Sequence, residues 1–363
     1  MDKVIKNILK RIENEGYEAY VVGGFVRDAL LHKTTYDVDI CTNALPMNLM
    51  QIFSSSQVLN GYGGFNFKLK KYNVDITTYR KEKKYDKRKP VEVEYINNLI
   101  EDIKRRDFTI NALCMDKNGN LIDLIDGKND LDNRVIRAIG DANNKFAEDP
   151  LRMLRAIRFA TVLNFDIEPD TMEAIVNSSE LTASLSSERI KEELSKIFSS
   201  PNYNKGLKLL KESRIDKHLG IEYNNITYTN DILGMWAQIE VKKIQFSNSE
   251  KENITKVRQL LRIKRIENFE LFNHGLYLCL VAGQALNISF QTINKKYKNL
   301  PIKSMKDIEI NGKEVMNLLK IEPSKQVSDI IKDIKVQILS GQLKNKKSEI
   351  KKYITRKWQN EQR

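Results

Sequence analysis

The sequence predicts an α+β protein in which a small mixed α/β unit precedes an all-helical remainder. Short β-branched runs bounded by glycine or charged turns recur between residues 20 and 79, and from about residue 146 the apolar period becomes that of helices. Charge divides the chain in a similar place. Residues 1–200 hold 30 basic and 31 acidic side chains, whereas 201–363 hold 31 and 17, so the formal charge of +13 resides in the C-terminal part.

Val4, Ile5, Ile8, Leu9 and Ile12 recur at helical intervals, which gives an amphipathic helix over residues 2–14. Tyr20-Val21-Val22 is a strand that ends at Gly23-Gly24, and Phe25 to Leu31 then resumes helical spacing. Val38-Asp39-Ile40, Phe65 to Leu69 and Val74 to Tyr79 read as further strands. Pro150 to Leu163, Ser187 to Phe198 and Lys205 to Lys211 are helical, and the change of period puts a boundary near Gly140.

Composition removes several classes of protein. At 363 residues and 42.1 kDa, with 41% apolar and 30% charged residues, the chain is in the globular range, which excludes wholesale disorder and a disulfide-stapled miniprotein. No window approaches a membrane span, and the N-terminus lacks the apolar core and cleavage site of a signal peptide. Cys41, Cys114 and Cys279 show no CxxC spacing, which argues against a zinc knuckle and suits a reducing cytoplasm. The basic C-terminal part is either a solvated, lysine-rich surface or a face that binds a polyanion by releasing counterions.

The chemistry concentrates in the α/β unit. Gly23-Gly24 followed by Arg27 lets backbone approach a ligand with a guanidinium aimed at the same place, which suits a phosphate; a plain tight turn would also place glycines there. Asp37 and Asp39, two apart on a strand, point to one side and can hold a hard divalent cation such as Mg²⁺ beside a triphosphate, although a solvated strand end reads the same way alone. Asp75 is a third carboxylate whose direction the sequence leaves open, with a structural role as the alternative. Asp149 before Pro150 is an N-cap, and Arg152, Arg155 and Arg158 then recur every three residues on an otherwise apolar helix. A nucleotide site and a structural ion-pair network both account for those arginines.

The run GGFVRD (23–28) followed by DVD (37–39) resembles the signature of the nucleotidyltransferase superfamily to which DNA polymerase β belongs. Within it, the chain is similar to the class II CCA-adding enzymes, the tRNA nucleotidyltransferases, and to the bacterial poly(A) polymerases. TTYRKEKKYDKRKP (77–90) resembles the family's flexible loop, EDIKRRDFTINAL (101–113) its second motif, DLIDGKNDL (123–131) its third, AEDPLRMLRAIRFA (147–160) its fourth and SERIKEELSKI (187–197) its fifth. INGKEVMNLL (310–319) and SDIIKDIKVQILSGQLKN (328–345) resemble the tail of CCA-adding enzymes from low-GC Gram-positive bacteria.

The resemblance implies a polymerase β-like head over 1–140, a helical neck over 141–200 that carries the base-recognition helix, and a basic helical body and tail over 201–363 that binds tRNA. It implies Mg²⁺-dependent, template-independent addition of CCA to tRNA from CTP and ATP, in the cytoplasm, with no membrane and no obligate protein partner. Asp37 and Asp39 are then the catalytic and metal-holding carboxylates, and Gly24 and Arg27 hold the triphosphate. Asp149 and Arg152 read the base edge, while Arg106, Arg155 and Arg158 reach toward the phosphates. The loop over 79–90, with Arg80, Lys81, Lys83, Lys84, Asp86, Lys87, Arg88 and Lys89, is the expected moving part; it departs from the family pattern at Tyr85 to Pro90, where a Lys replaces an Arg. The RNA grip is expected around Lys242, Lys243, Arg262, Lys264, Arg265, Lys295, Lys296 and Lys344 to Arg356. The alternatives are a poly(A) polymerase, a CC- or A-only adder, and a non-catalytic RNA-binding relative.

Overall fold

The computed structural model describes residues 1–53, 64–86 and 89–358, except for the side chains of 82–92. Its contacts divide the chain into two units, Met1–Ile221 with Val241–Ile244, and Glu222–Glu240 with Gln245–Arg363.

The first unit opens with α1 (Lys3–Glu13), which buries Ile5, Ile8, Leu9 and Ile12 and is capped by Asp2, whose carboxylate accepts from the Val4 N–H at 2.8 Å. There follow β1 (Ala19–Val22), α2 (Gly24–Leu30), β2 (Asp37–Thr42), α3 (Pro46–Phe53), β3 (Phe65–Leu69) and β4 (Tyr72–Thr78). Next come β5 (Arg80–Asp86), β6 (Lys89–Tyr95), α4 (Leu99–Lys104), β7 (Cys114–Met115), β8 (Leu121–Ile122), α5 (Gly127–Asp132) and β9 (Val135–Ile136). The unit continues through α6 (Ala142–Glu148), α7 (Leu151–Leu163), β10 (Asp166–Ile167), α8 (Pro169–Ser178), α9 (Ser187–Phe198), α10 (Tyr203–Glu212) and α11 (Ile215–Leu219).

One six-stranded sheet, in the order β3-β4-β2-β1-β7-β8, organises the head. β2 and β4 are parallel and the other neighbours antiparallel. Along β2, Val38 and Ile40 go to the core while Asp37 and Asp39 stay exposed, as the period of two requires. The register sets Asp39 opposite Asp75 on β4 and opposite Val22 on β1, just before Gly23. The four strands expected from sequence are therefore β1 to β4.

Three features differ from expectation. The stretch read as a loop over 79–90 forms an antiparallel ribbon of β5 and β6, anchored where the Ile96 N–H donates to the Tyr79 carbonyl at 3.0 Å. The side chains of Lys83, Lys84, Asp86 and Lys89, and residues Lys87 and Arg88 altogether, lie outside the described residues. The two-residue strands β7 and β8 extend the sheet, and β9 pairs in parallel with β10, so the region beyond 146 is not purely helical. Segments that short carry no periodic signal.

The packing of α7 places the candidate site. It packs on α9, and Gly206 lets α10 approach both: a Cβ there would meet Ile197 Cγ2 at 2.4 Å and Thr161 Oγ1 at 2.8 Å.

The second unit contains α12 (Ile232–Gln238), α13 (Asn248–Ile263), α14 (Asn268–Ala285), α15 (Phe290–Lys298), α16 (Gly312–Leu319), α17 (Lys325–Leu339) and α18 (Lys347–Trp358). Val257, Leu260, Leu271, Ile293, Ile330 and Ile350 share one apolar core. This unit carries 24 basic and 15 acidic residues. Among the described residues no helix is long and apolar enough to cross a membrane.

Candidate active site

The turn between β1 and α2 brings backbone against a carboxylate. Gly23 has φ +79°, a backbone conformation that favours glycine, and a Cβ there would lie 3.4 Å from Asp39 Oδ2, in contact with it. A Cβ on Gly24 would lie 3.6 Å from Arg27 Nη2, which shows the guanidinium tucked against this turn.

Asp37, Asp39 and Asp75 crowd one side of the sheet. Asn73 Nδ2 donates to Asp37 Oδ1 at 2.8 Å. Partial desolvation pushes the Asp39 carboxyl above the usual range, and the charges of Asp75 and Asp37 add to this while Arg106 and Arg155 oppose it. Burial likewise raises Asp75, against the pull of Arg80, and its Oδ1 is buried without a hydrogen-bond partner. Adjacent carboxylates with raised affinity for protons and an orphaned oxygen are the chemistry a hard cation satisfies. Among the described residues no three or more His, Cys, Asp or Glu side chains converge into a complete metal cage. A cation here would take one or two carboxylates from the protein and the rest of its ligands from phosphate and water, as Mg²⁺ usually does.

A cavity of about 490 Å³ opens beside Asp39, lined among others by Gly24, Arg27, Arg106, Asp149, Arg152 and Arg155. Most of its cations are held in place. Arg27 donates from Nε to Asp28 Oδ1 at 2.8 Å and from Nη1 to Asn111 Oδ1 at 2.6 Å. Asn111 Nδ2 donates onward to Asp107 Oδ1 at 3.1 Å, and Arg155 Nε donates to Asp107 Oδ2 at 2.8 Å. Arg106 is gripped by the fully buried Asp102, whose Oδ2 accepts from Nη2 at 3.1 Å; Asp102 Oδ1 also accepts from Arg105 Nε at 2.8 Å and from the Arg80 N–H, the first residue of β5, at 3.2 Å. Arg152 donates to Glu148 Oε2 at 2.8 Å, to the Lys145 carbonyl at 3.0 Å and to the Arg105 carbonyl at 3.2 Å. Asp149 Oδ1 accepts from the Leu151 N–H at 3.0 Å, which caps α7.

The Asp107–Arg155 pair has a testable consequence. Burial alone would raise Asp107, but the Arg155 charge and hydrogen bonds from Arg155, Asn111 and the Phe108 N–H outweigh it and hold the carboxyl at about 2. A carboxyl depressed from its usual ~3.9 adds stability at higher pH that disappears as pH falls through the folded value. In urea titrations, wild type should exceed Asp107→Asn by about 2 kcal/mol above pH 5, with the gap closing toward pH 2. A gap that does not change over that range would show that the ion pair is not its source.

Of the residues expected from sequence, Gly24, Arg27, Asp39, Arg106, Asp149, Arg152 and Arg155 line this one cavity. Asp37 sits two residues from Asp39 on the same exposed face. Arg158 is placed differently. It does not line the cavity; its Nε donates to Glu193 Oε2 at 2.6 Å and its guanidinium lies 3.8 Å from the centre of the Phe159 ring, so it joins α7 to α9 as an ion pair. Asp102, Asp107, Asn111, Phe159 and Arg189 belong to the site or its support and were not singled out from sequence. Asp107 and Asn111 were visible only as neighbours of Arg106 in the second motif.

The expected RNA-facing cations are partly available. Arg262, Lys264 and Arg265 are exposed at the end of α13. Lys296 is engaged with Glu267 at 2.7 Å and Lys243 with the Ala183 carbonyl at 3.3 Å.

Residues 19–137 match the family model described as Poly A polymerase head domain, 164–222 one described as "Probable RNA and SrmB- binding site of polymerase A", and 225–354 one for tRNA nucleotidyltransferase domain 2. A CCA-adding enzyme of Lactobacillus johnsonii is 35% identical, with 96% of each chain covered. One from Staphylococcus aureus is 32% identical over 98% of each. The crystal structure of the Bacillus stearothermophilus CCA-adding enzyme in complex with CTP superposes with a TM-score of 0.84 at 26% identity, covering 100% of this chain and 99% of that one. With such identity sustained along nearly its whole length, the chain belongs to the CCA-adding enzyme family.

Proposed function

We propose that this chain builds and repairs the 3′-terminal CCA of tRNA, using CTP and ATP and releasing pyrophosphate. The observation that carries the reading is the meeting, in one cavity, of a strand carboxylate, clamped arginines and the Asp149–Arg152 pair at the start of α7. Asp37 and Asp39 would hold Mg²⁺, which when bound supplies a more acidic 3′-hydroxyl and a neutralised leaving group. Gly24 and Arg27 cradle the triphosphate at the β1–α2 turn, and Arg106 and Arg155, fixed by Asp102 and Asp107, direct positive charge into the same space. Asp149 accepts from cytosine N4 or adenine N6, and Arg152 donates to cytosine N3 and O2 or adenine N1. Uracil and guanine present the opposite donor and acceptor order there, so side chains alone can choose C and A. The second unit, with 24 basic against 15 acidic residues, and the exposed Arg262, Lys264 and Arg265 support its role as the tRNA-binding part. Three free, buried cysteines support a cytoplasmic location.

The test is to incubate the protein and Mg²⁺ with tRNA transcripts ending before CCA, after C and after CC, supply labelled CTP or ATP, and sequence the products. A defined CCA end is the expected result. A ragged A tail would make the chain a poly(A) polymerase, arrest at CC would make it a CC-adder, and no incorporation on any transcript would overturn catalysis.

A further inference from the structure

Five arginines line the cavity, and four are held: Arg27 to Asp28 at 2.7 Å, Arg106 to Asp102 at 3.1 Å, Arg152 to Glu148 at 2.8 Å, and Arg155 to Asp107. The fifth, Arg189, is the third residue of α9. Its side chain is exposed, and it makes no hydrogen bond or ion pair among the described residues. Glu192, whose carboxyl feels the Arg189 charge, is engaged instead by Lys196 at 2.8 Å. Of the three carboxylates in the cavity wall, Asp107 is taken by Arg155, Asp149 caps α7, and the cations acting on Asp39 are Arg106 and Arg155.

The four held guanidiniums have most of their charge answered by the protein, so they orient a ligand more than they attract one. Arg189, at the edge of a polar cavity, makes no ion pair among the described residues and meets only the longer-range charge of Glu192. A planar fork of N–H donors in that position matches a phosphate group, to which it can donate two parallel, charge-assisted hydrogen bonds. Alpha-helix 9 is also well placed to hold it steady. It packs on α7, with Glu193 of α9 bonded to Arg158 one turn further along, so the Arg189 backbone is fixed relative to the base-facing residues.

We propose that Arg189 is a further substrate-binding residue that takes a phosphate group at the cavity edge, either in the nucleotide's triphosphate or in the phosphodiester next to the RNA's 3′-hydroxyl. The proposal rests on the nucleotidyltransferase reading above and extends it to a residue of the fifth motif. No reacting atom is assigned to it; it binds.

The experiment separates the two phosphate sources and does not depend on turnover. For wild type, Arg189→Ala and Arg189→Lys, CTP affinity is measured by calorimetry with Mg²⁺ and no RNA, and affinity for a tRNA transcript lacking CCA by filter binding across a salt series. Arg189→Ala should weaken one of these by about tenfold, with Lys restoring part of the loss. Loss in the CTP arm assigns the triphosphate; loss in the RNA arm, with the salt slope reduced by about one, assigns the phosphodiester. Unchanged constants in both arms would overturn the proposal. So would a fall in unfolding temperature that explains the loss, which the exposure of Arg189 argues against. If wild type binds CTP and RNA yet adds no nucleotide, the functional reading fails while the binding arms still decide the role of Arg189.

Discussion

Replacing Asp39 by asparagine should abolish nucleotide incorporation and, in the same variant, raise the unfolding temperature of the ligand-free protein. The first effect follows from the loss of a charged cation ligand at the strand end: a fall of about a thousandfold or more, or about 4 kcal/mol in the barrier. The second follows from the company Asp39 keeps. Partial desolvation, with the charges of Asp75 and Asp37, raises its carboxyl despite Arg106 and Arg155, so its ionised form is less stable in the fold than in the unfolded chain. A carboxyl raised on folding makes stability fall as pH rises through the folded value, and asparagine, isosteric and neutral, removes that penalty at neutral pH. Below the unfolded value both residues are uncharged and the difference should vanish. Thermal scans in chelator at about pH 3 and about pH 7.5 would check this. Adding Mg²⁺ and CTP should reverse the order, because a ligand that binds only the folded wild type stabilises it by mass action. Equal midpoints for the two proteins at pH 7.5 without cation would mean that the crowded carboxylates are not strained.

That prediction depends on one thing the sequence carried and one it did not. Two aspartates at alternate positions must share a face, so Asp37 and Asp39 could be paired from spacing alone. Whether Asp75 joins them depends on register between β2 and β4, which spacing on a single strand cannot supply. The ribbon was legible in principle, since Val91-Glu92-Val93-Glu94-Tyr95 alternates like a strand, but the loop reading followed from the resemblance of residues 77–90 to the family's flexible loop. The arginines of α7 divide for a geometric reason. A step of three residues falls about 60° short of a full helical turn, so Arg158 is displaced by about 120° from Arg152 and faces Glu193 of α9 instead of the cavity. Asp102 gave no signal at all. A buried acid that joins Arg105, Arg106 and the first residue of β5 is recognisable only when the chain has brought those partners together.

Arg152→Ala should produce the largest change in which nucleotide is used. Its guanidinium is fixed by Glu148 and by the carbonyls of Lys145 and Arg105, and Asp149 beside it is fixed by the Leu151 N–H, so the pair presents a rigid order of acceptor and donor. A good bidentate contact to a base edge is worth about 1–3 kcal/mol of discrimination, so preference for CTP over UTP should fall by about ten- to a hundredfold as kcat/KM for CTP drops. Arg152→Lys should not restore it, because an ammonium cannot reproduce the planar fork. Glu148→Gln should loosen selection to a smaller degree, since Glu148 acts only by orienting Arg152. Single-nucleotide incorporation with each of the four triphosphates gives the ratios directly. If Arg152→Ala lowered all four kcat/KM values equally, the residue would be gripping something common to every nucleotide, a phosphate or ribose, and base choice would have to come from elsewhere on the cavity wall.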